Sequence, residues 1–268
     1  MRHVIKWELS QRKTAILWWT IGAVAIAALI LLIYPPLKHQ ADQFNKVINQ
    51  LPNGLRQLKA GGTGHVDVAN PVDFLNSQLY YVTLPILLII LTITRGSSLI
   101  GRDERDHTLE LLLARPVSRS KLLAAKAFAG TLETFFVTAV TTLAIVVLAK
   151  VVGLNIGFWR LVVAGLYTWL FCLSFGAIAF ALNAFGHLTK RASTAIAVIL
   201  SFGGYIVTSL GGLNHTLANV AKFTPYHYFD IEKVLRAQHV HGLDIYLIGI
   251  FILCTLLAYN GFKNRDIE

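Results

Sequence analysis

Long runs of apolar residues, separated by short polar segments, constrain this chain more than any other feature of its sequence. Runs of about 18 or more apolar residues with few charges are typical of helices that cross a membrane. Hydrophobic residues make up 55% of the 268 residues and charged residues only 14%. Soluble domains carry roughly 25% charged residues. The sequence therefore predicts a polytopic membrane protein, with a single transmembrane domain over residues 1–268.

The apolar runs define the predicted architecture, an all-α integral membrane protein with six transmembrane helices. The predicted spans cover approximately residues 14–34, 76–100, 122–149, 158–185, 192–213 and 243–262. Before the first span, the basic segment 2–13 with its interspersed apolar residues predicts an interfacial helix. We expect Pro35 and Pro36 to end the first span. Segments 37–75 and 214–242 predict amphipathic or re-entrant helices on the outer face.

The distribution of positive charge predicts the orientation in the membrane. An even number of spans places both termini on one side, and Lys and Arg concentrate near the termini, in 101–126 and in 186–191. Cytoplasmic loops carry the excess of Lys and Arg, so we expect both termini to be cytoplasmic. The formal net charge of +10 then reflects topology and contact with membrane lipid, and we expect no nucleic-acid partner.

The sequence contains neither a recognisable catalytic motif nor a complete nucleotide-binding motif. The stretch Gly96–Asp103 approaches the GxxxxGK[ST] phosphate-binding loop, but Arg102 replaces the lysine and Asp103 would repel phosphate. Cys172 and Cys254 both lie inside apolar runs without CxxC spacing, which predicts small buried side chains rather than a disulfide or a zinc site. We therefore expect no catalytic, cofactor or metal site in this chain.

The polar segment between the second and third spans, Gly101–Lys126, contains a predicted short helix. Acidic residues precede it and favour a helix start at that point. Arg115 favours a helix end, and Pro116 terminates the helix. Leu109, Leu112 and Leu113 share one face, so the helix is amphipathic. One alternative is an ordinary loop helix that lies on the membrane. The other is a contact site for a soluble partner.

The sequence ERDHTLELLLARPVSRSKLLAAK, residues 104–126, resembles the signature cytoplasmic segment of permease subunits in ABC transporters of the ABC-2 type. That segment has acidic residues before a Thr-Leu-Glu and a leucine pair, then Pro-hydrophobic-Ser-Arg, and a Lys that opens the third span. The ending YNGFKNRDIE, residues 259–268, also resembles the end of this family. His107, where glycine is commoner, and the long segment 37–75 depart from the pattern.

The resemblance implies a mechanism and a set of partners. It implies an exporter in the plasma membrane, in a bacterium, in which two permease subunits, identical or paralogous, pair above two separate ATPase subunits. ATP and Mg bind to those ATPase chains. The helix after the second span would dock in a groove of the ATPase. With Arg115 at the end of that helix, the ATPase-coupling residues would be Glu104, Thr108, Leu109, Glu110, Leu111, Leu112, Arg115, Pro116, Ser118 and Arg119.

Glu133 lies about eleven residues into the third predicted span, where an acidic side chain needs a partner. A charge in the bilayer costs about 2.5–3.5 kcal/mol on insertion scales, so its side chain should face protein or water. One interpretation is a cation or proton site in the substrate path. The other is a protonated or hydrogen-bonded contact between helices. Arg95 could pair with Glu133 only if the two lie at the same depth; otherwise it would extend to the interface.

Two further function classes compete with a transport subunit. An intramembrane enzyme, such as a protease, would need paired catalytic residues at one depth on different spans, and Glu133 has no histidine partner at its depth in the sequence. A membrane scaffold or an immunity protein would need no transport activity at all. An ATPase reading frame beside this one would favour the transport subunit over both.

Overall fold

The computed structural model describes residues 2–52, 54–55, 67–105, 118–185, 188–238 and 242–263, and these form helices without a strand. In the described chain, six helices are long and apolar enough to cross a membrane. The helices are α1 Arg2–Gln11, α2 Lys13–His39, α3 Ala41–Gln50, α4 Pro71–Leu75, α5 Leu84–Arg105, α6 Arg119–Val151, α7 Phe158–Ala184, α8 Lys190–Ser209, α9 His215–Ala221, α10 Pro225–Tyr228, α11 Ile231–Leu235 and α12 Leu243–Lys263.

The prediction of six helices able to span a membrane is confirmed, and they correspond to α2, α4–α5, α6, α7, α8 and α12. The second span starts earlier than expected, at Pro71, and a π-helical segment, Asn76–Thr83, joins α4 to α5. The sequence around Pro71 explains the earlier start. The Asn70 side chain accepts a hydrogen bond from the Val72 N–H, and proline at the first helical position gives up no helical hydrogen bond.

The expectation that Pro35 and Pro36 end the first span is wrong. Helix α2 contains both prolines and continues to His39. The prolines free two carbonyl groups in the preceding turn, but the helix is held beyond them, where the Gln40 N–H donates to Leu37 O at 3.1 Å. Tyr34 is buried at the proline pair and its hydroxyl donates to Ala69 O. Packing at this end of the helix therefore outweighs the local cost of the prolines.

Helix α5 forms the centre of the bundle. In the apolar stretch of its span, 78% of the residues are buried inside the bundle, against 17% for α2. Helix α7 packs against α5 through two glycines: a Cβ on Gly96 would lie 2.1 Å from Gly176 O, and a Cβ on Gly176 would lie 2.8 Å from Thr92 O. Small residues at such positions let two backbones approach closely, which is how membrane helices commonly associate.

The two ends of the bundle differ in character. We call the end that carries α1, the end of α5, the start of α6 and the end of α12 the terminal face. At the opposite face lie the short helices α9, α10 and α11, and aromatic side chains at α10 reach inward to the middle of α7. Phe171 of α7 stacks on Phe229 with 4.0 Å between ring centroids and meets Tyr226 edge-on at 4.7 Å. This aromatic packing holds α10 to α7, whereas charged side chains hold the terminal face together.

Candidate functional site

A cluster of five charged side chains joins three helices near the terminal face. We call it the buried charge cluster. Helix α1 supplies Glu8, α5 supplies Arg95, α6 supplies Lys126 and Glu133, and the α1–α2 junction supplies Arg12. Arg95, Lys126 and Glu133 are no more than 3% exposed, and Glu8 is 8% exposed. Such burial is rare for charged residues unless they are paired with one another.

The contacts of the cluster form a continuous chain. Glu8 receives hydrogen bonds from Lys126 Nζ on Oε1 at 2.9 Å and from Arg95 Nη2 on Oε2 at 3.0 Å. Arg95 Nε lies 2.6 Å from Glu133 Oε2, and Arg12 Nε lies 3.9 Å from Glu133 Oε1. Lys126 Nζ also donates to Leu99 O at 2.8 Å. Arg95 therefore connects both carboxylates, and through them it links α1 to α6.

The cluster keeps Glu8 in its charged form. Burial by itself would raise the pKa of the Glu8 carboxyl, but the ammonium of Lys126 and the guanidinium of Arg95 outweigh burial and hold that pKa below its usual value. Because the folded-state pKa is lowered, the contribution of Glu8 to stability is present at neutral pH and is lost as the pH falls through the lowered pKa. The two carboxylates face three cations, so the cluster carries one net positive charge.

Arg95 could pair with Glu133 only if the two side chains lie at the same depth. In the structure they do, and the two side chains touch. Glu133 makes a contact between helices, through the guanidinium of Arg95. The sequence analysis missed Glu8 and Lys126 as members of the cluster. A signal for Glu8 was present, because it is the only acidic residue before Asp42 in a basic N-terminal region.

The predicted ATPase-coupling residues fall largely outside the described residues. Thr108, Leu109, Glu110, Leu111, Leu112, Arg115 and Pro116 lie outside them, and Glu104 is described only as part of the last turn of α5. Ser118 is the N-cap residue of α6, with extended backbone angles and its hydroxyl 3.4 Å from that of Ser120. Arg119 opens α6, and its Nη1 donates to Lys263 O at 3.4 Å. These two residues place the end of the segment on the terminal face.

The arrangement of the cluster is suited to holding helices, not to acid–base chemistry. Both Glu133 oxygens lie near guanidinium groups, and both Glu8 oxygens accept hydrogen bonds from cations. Neither carboxylate is paired with a histidine or a second acid, as a general acid–base pair would be. In the described part of the chain, no group of three or more His, Cys, Asp or Glu side chains could hold a metal ion.

Comparison with known proteins agrees with this architecture. No curated protein with significant similarity to the chain was found. A family model described as "ABC-2 family transporter protein" matches residues 3–266, which include α1, all six spans and the segment between α5 and α6. Because the match covers nearly the whole chain, this protein belongs to the ABC-2 family of transporter proteins.

Proposed function

We propose that this chain is the membrane-spanning permease subunit of an ATP-driven exporter in a bacterial plasma membrane. In this proposal two permease subunits pair, identical or paralogous, and form the substrate path between them. Two separate ATPase chains bind ATP and Mg and drive the spans. The match of the ABC-2 transporter family to residues 3–266, together with the six spans, is the observation that supports the proposal.

The segment 103–119 is the proposed contact with the ATPase. It joins the end of α5 to the start of α6, the two helices that the buried charge cluster ties to each other and to α1. A displacement applied to this segment would act directly on α5, the most buried span. The cluster would make α1, α5 and α6 move together, because separating them would leave buried charges without partners.

Glu133 has a structural role in this proposal. Its carboxylate holds α5 to α6 through Arg95, and its side chain is only 1% exposed. Its placement in the substrate path stays a prediction. The proposed orientation puts both termini, the segment 103–119 and the terminal face in the cytoplasm, where ATPase chains have access to them.

Replacing Leu111 or Glu110 with arginine tests the coupling contact. We expect Leu111→Arg to reduce copurification of the ATPase chain by about tenfold or more. Burying an unpaired charge in a docking groove is costly, so the affinity of the permease for the ATPase should fall steeply. The measurement is the amount of ATPase chain that copurifies with a tagged permease from cells, followed by its ATP hydrolysis rate in nanodiscs. Glu110→Arg should give a similar loss.

A matched control is Gln50→Arg, which adds the same charge at an exposed position of α3 on the opposite face. It should leave copurification and hydrolysis at the wild-type level. Unchanged ATPase association and stimulation in both Leu111→Arg and Glu110→Arg would refute the docking assignment.

A further inference from the structure

A cleft opens between α5, α6, α7 and α12 near the terminal face. Its volume is about 330 Å³, in the range of sites that take small molecules. Side chains of α5 and α7 form its floor, and α6 and α12 form its two sides. The side residues Ala124, Thr255 and Tyr259 are exposed, so the cleft faces outward from the bundle. Small residues of the four helices leave this space, among them Gly96, Ala127, Gly130, Gly176, Ala177 and Ala258.

The cleft is apolar despite the hydroxyl groups in its lining. Thr131 and Thr255 donate to backbone carbonyls of their own helices, at 2.9 and 2.7 Å. Thr92 donates to Cys172 O at 2.8 Å, and Thr134 donates to Thr131 O at 3.0 Å. With their hydroxyl hydrogens used in this way, the four threonines present mainly methyl groups to the cleft. A sugar or a peptide would lose hydrogen bonds to water on entering and gain few in return.

The one charged residue in the lining is already engaged. The guanidinium of Arg95 is held by Glu8 and Glu133, at 3.0 and 2.6 Å. The Arg95 stem lies against the cleft beside Gly130, where a Cβ would be 3.6 Å from Arg95 Cγ. The lining therefore offers hydrocarbon surface and no unpaired charge, which is the environment that a hydrocarbon chain prefers.

Positive charge lies at the terminal end of the cleft. Arg119 is one helical turn beyond Leu123 of the lining, and Lys263 is one turn beyond Tyr259. The Arg119 side chain reaches α12 through its hydrogen bond to Lys263 O, so the two residues mark a common rim. The rim is complementary to an anionic group at the level of the lipid headgroups.

We propose that this cleft binds a hydrocarbon chain of an anionic phospholipid, with the headgroup at the Arg119–Lys263 rim. The apolar lining, the outward opening and the basic rim together match the two parts of such a lipid, its chain and its charged head. This site lies within one chain, and Lys263 at its rim lies outside the proposed ATPase contact, so the site can be tested on the permease alone. A second copy of this chain covering the cleft is the competing occupant, and the basic rim disfavours it because both copies carry the same charge.

The test uses the full chain in nanodiscs with a phosphatidylglycerol that carries a photoreactive diazirine in its acyl chain. We expect crosslinks to concentrate on cleft residues, mapped by mass spectrometry of the digested protein. Unlabelled phosphatidylglycerol should compete better than phosphatidylcholine. Thr255→Phe, which places a ring at the opening, should reduce cleft crosslinks several-fold, whereas the neighbouring Leu256→Phe, at an exposed position outside the lining, should not.

The rim is tested by Lys263→Gln, with Lys150→Gln as the matched control at the other end of α6. We expect Lys263→Gln to reduce competition by phosphatidylglycerol about fivefold, as expected for one basic side chain near an anionic headgroup. Thermal midpoints in detergent check that each variant is folded. The proposal is overturned by crosslinks spread equally over the exposed faces of α2 and α12, by equal competition from the two lipids, or by a cleft that takes no lipid label, as a second copy covering it would give.

Discussion

Arg95 touches carboxylates from two other elements, Glu8 of α1 and Glu133 of α6, while its own backbone belongs to α5. Removing a charge from water is expensive, so a buried ion pair adds little over an apolar contact of the same shape. Removing one partner is different, because the charge that remains is buried without compensation. Arg95 is the partner that two acids share, and its loss would leave both of them with fewer cations.

Arg95→Met should therefore destabilise the protein by about 3–5 kcal/mol, the range for breaking a buried pair. The measurement is the thermal unfolding midpoint of the full chain in detergent or nanodiscs. The double variant Arg95→Met/Glu133→Leu should recover part of the loss, because it removes one of the stranded carboxylates. Glu8 would stay partly compensated by Lys126 in both variants.

The matched control is Lys233→Met, which breaks an ion pair with Asp230 in which both side chains are more than one third exposed. Exposed pairs contribute about 0–1 kcal/mol, so this variant should change the midpoint little. Equal midpoints for Arg95→Met and Lys233→Met would show that the buried charge cluster does not hold the helices.

At the scale of elements, the packing of α5 on α7 depends on two glycines that hydropathy does not distinguish from the apolar residues around them. A Cβ on Gly96 would lie 2.1 Å from Gly176 O, closer than atoms can approach, so the helices would have to separate. A Cβ on Gly22 of α2 meets nothing within 4 Å. Comparing a glycine-to-alanine change at Gly96 with the same change at Gly22 therefore separates the effect of the helix contact from the effect of helix propensity.

Gly96→Ala should destabilise the protein by about 1–3 kcal/mol, the cost of forcing extra atoms into a packed contact. Gly22→Ala should be neutral or stabilising by up to about 1 kcal/mol, because alanine favours a helix over glycine. Thermal midpoints of the two variants measured side by side give the difference. A Gly96→Ala protein as stable as Gly22→Ala would mean that α5 and α7 do not approach closely.

The span positions could be predicted from the sequence because hydropathy over about 20 residues dominates the energetics of a membrane helix. The end of α2 could not, since it depends on the packing of Tyr34 and not on Pro35 and Pro36 themselves. Glu133 could be singled out as a costly charge, but its contact with Arg95 required the relative depth of two helices. The burial of Glu8 could not be predicted from its basic, interfacial segment, because that burial arises only when α1 packs on α6.

At the scale of the whole molecule, the two faces of the bundle carry different charge. On the opposite face, two of the described cations have acidic neighbours: Lys233 pairs with Asp230, and Arg236 contacts both Glu232 and Asp73. The terminal face carries basic side chains at the start of α2, the start of α6 and the end of α12, and its described acids are used in the buried charge cluster. We propose that the terminal face is cytoplasmic, because the positive-inside rule assigns the side richer in Lys and Arg to the cytoplasm.

This orientation predicts which positions a membrane-impermeant maleimide reaches in intact cells. The chain has two cysteines, Cys172 and Cys254, so a variant with both replaced by alanine provides a background without thiols. In that background, Asn219→Cys in α9 should react in intact cells, while Ser10→Cys in α1 should react only after the membrane is opened. Both positions are exposed in the described chain, so burial does not explain a difference between them. The reverse pattern would place the terminal face outside, and the segment 103–119 would then be out of reach of a cytoplasmic ATPase.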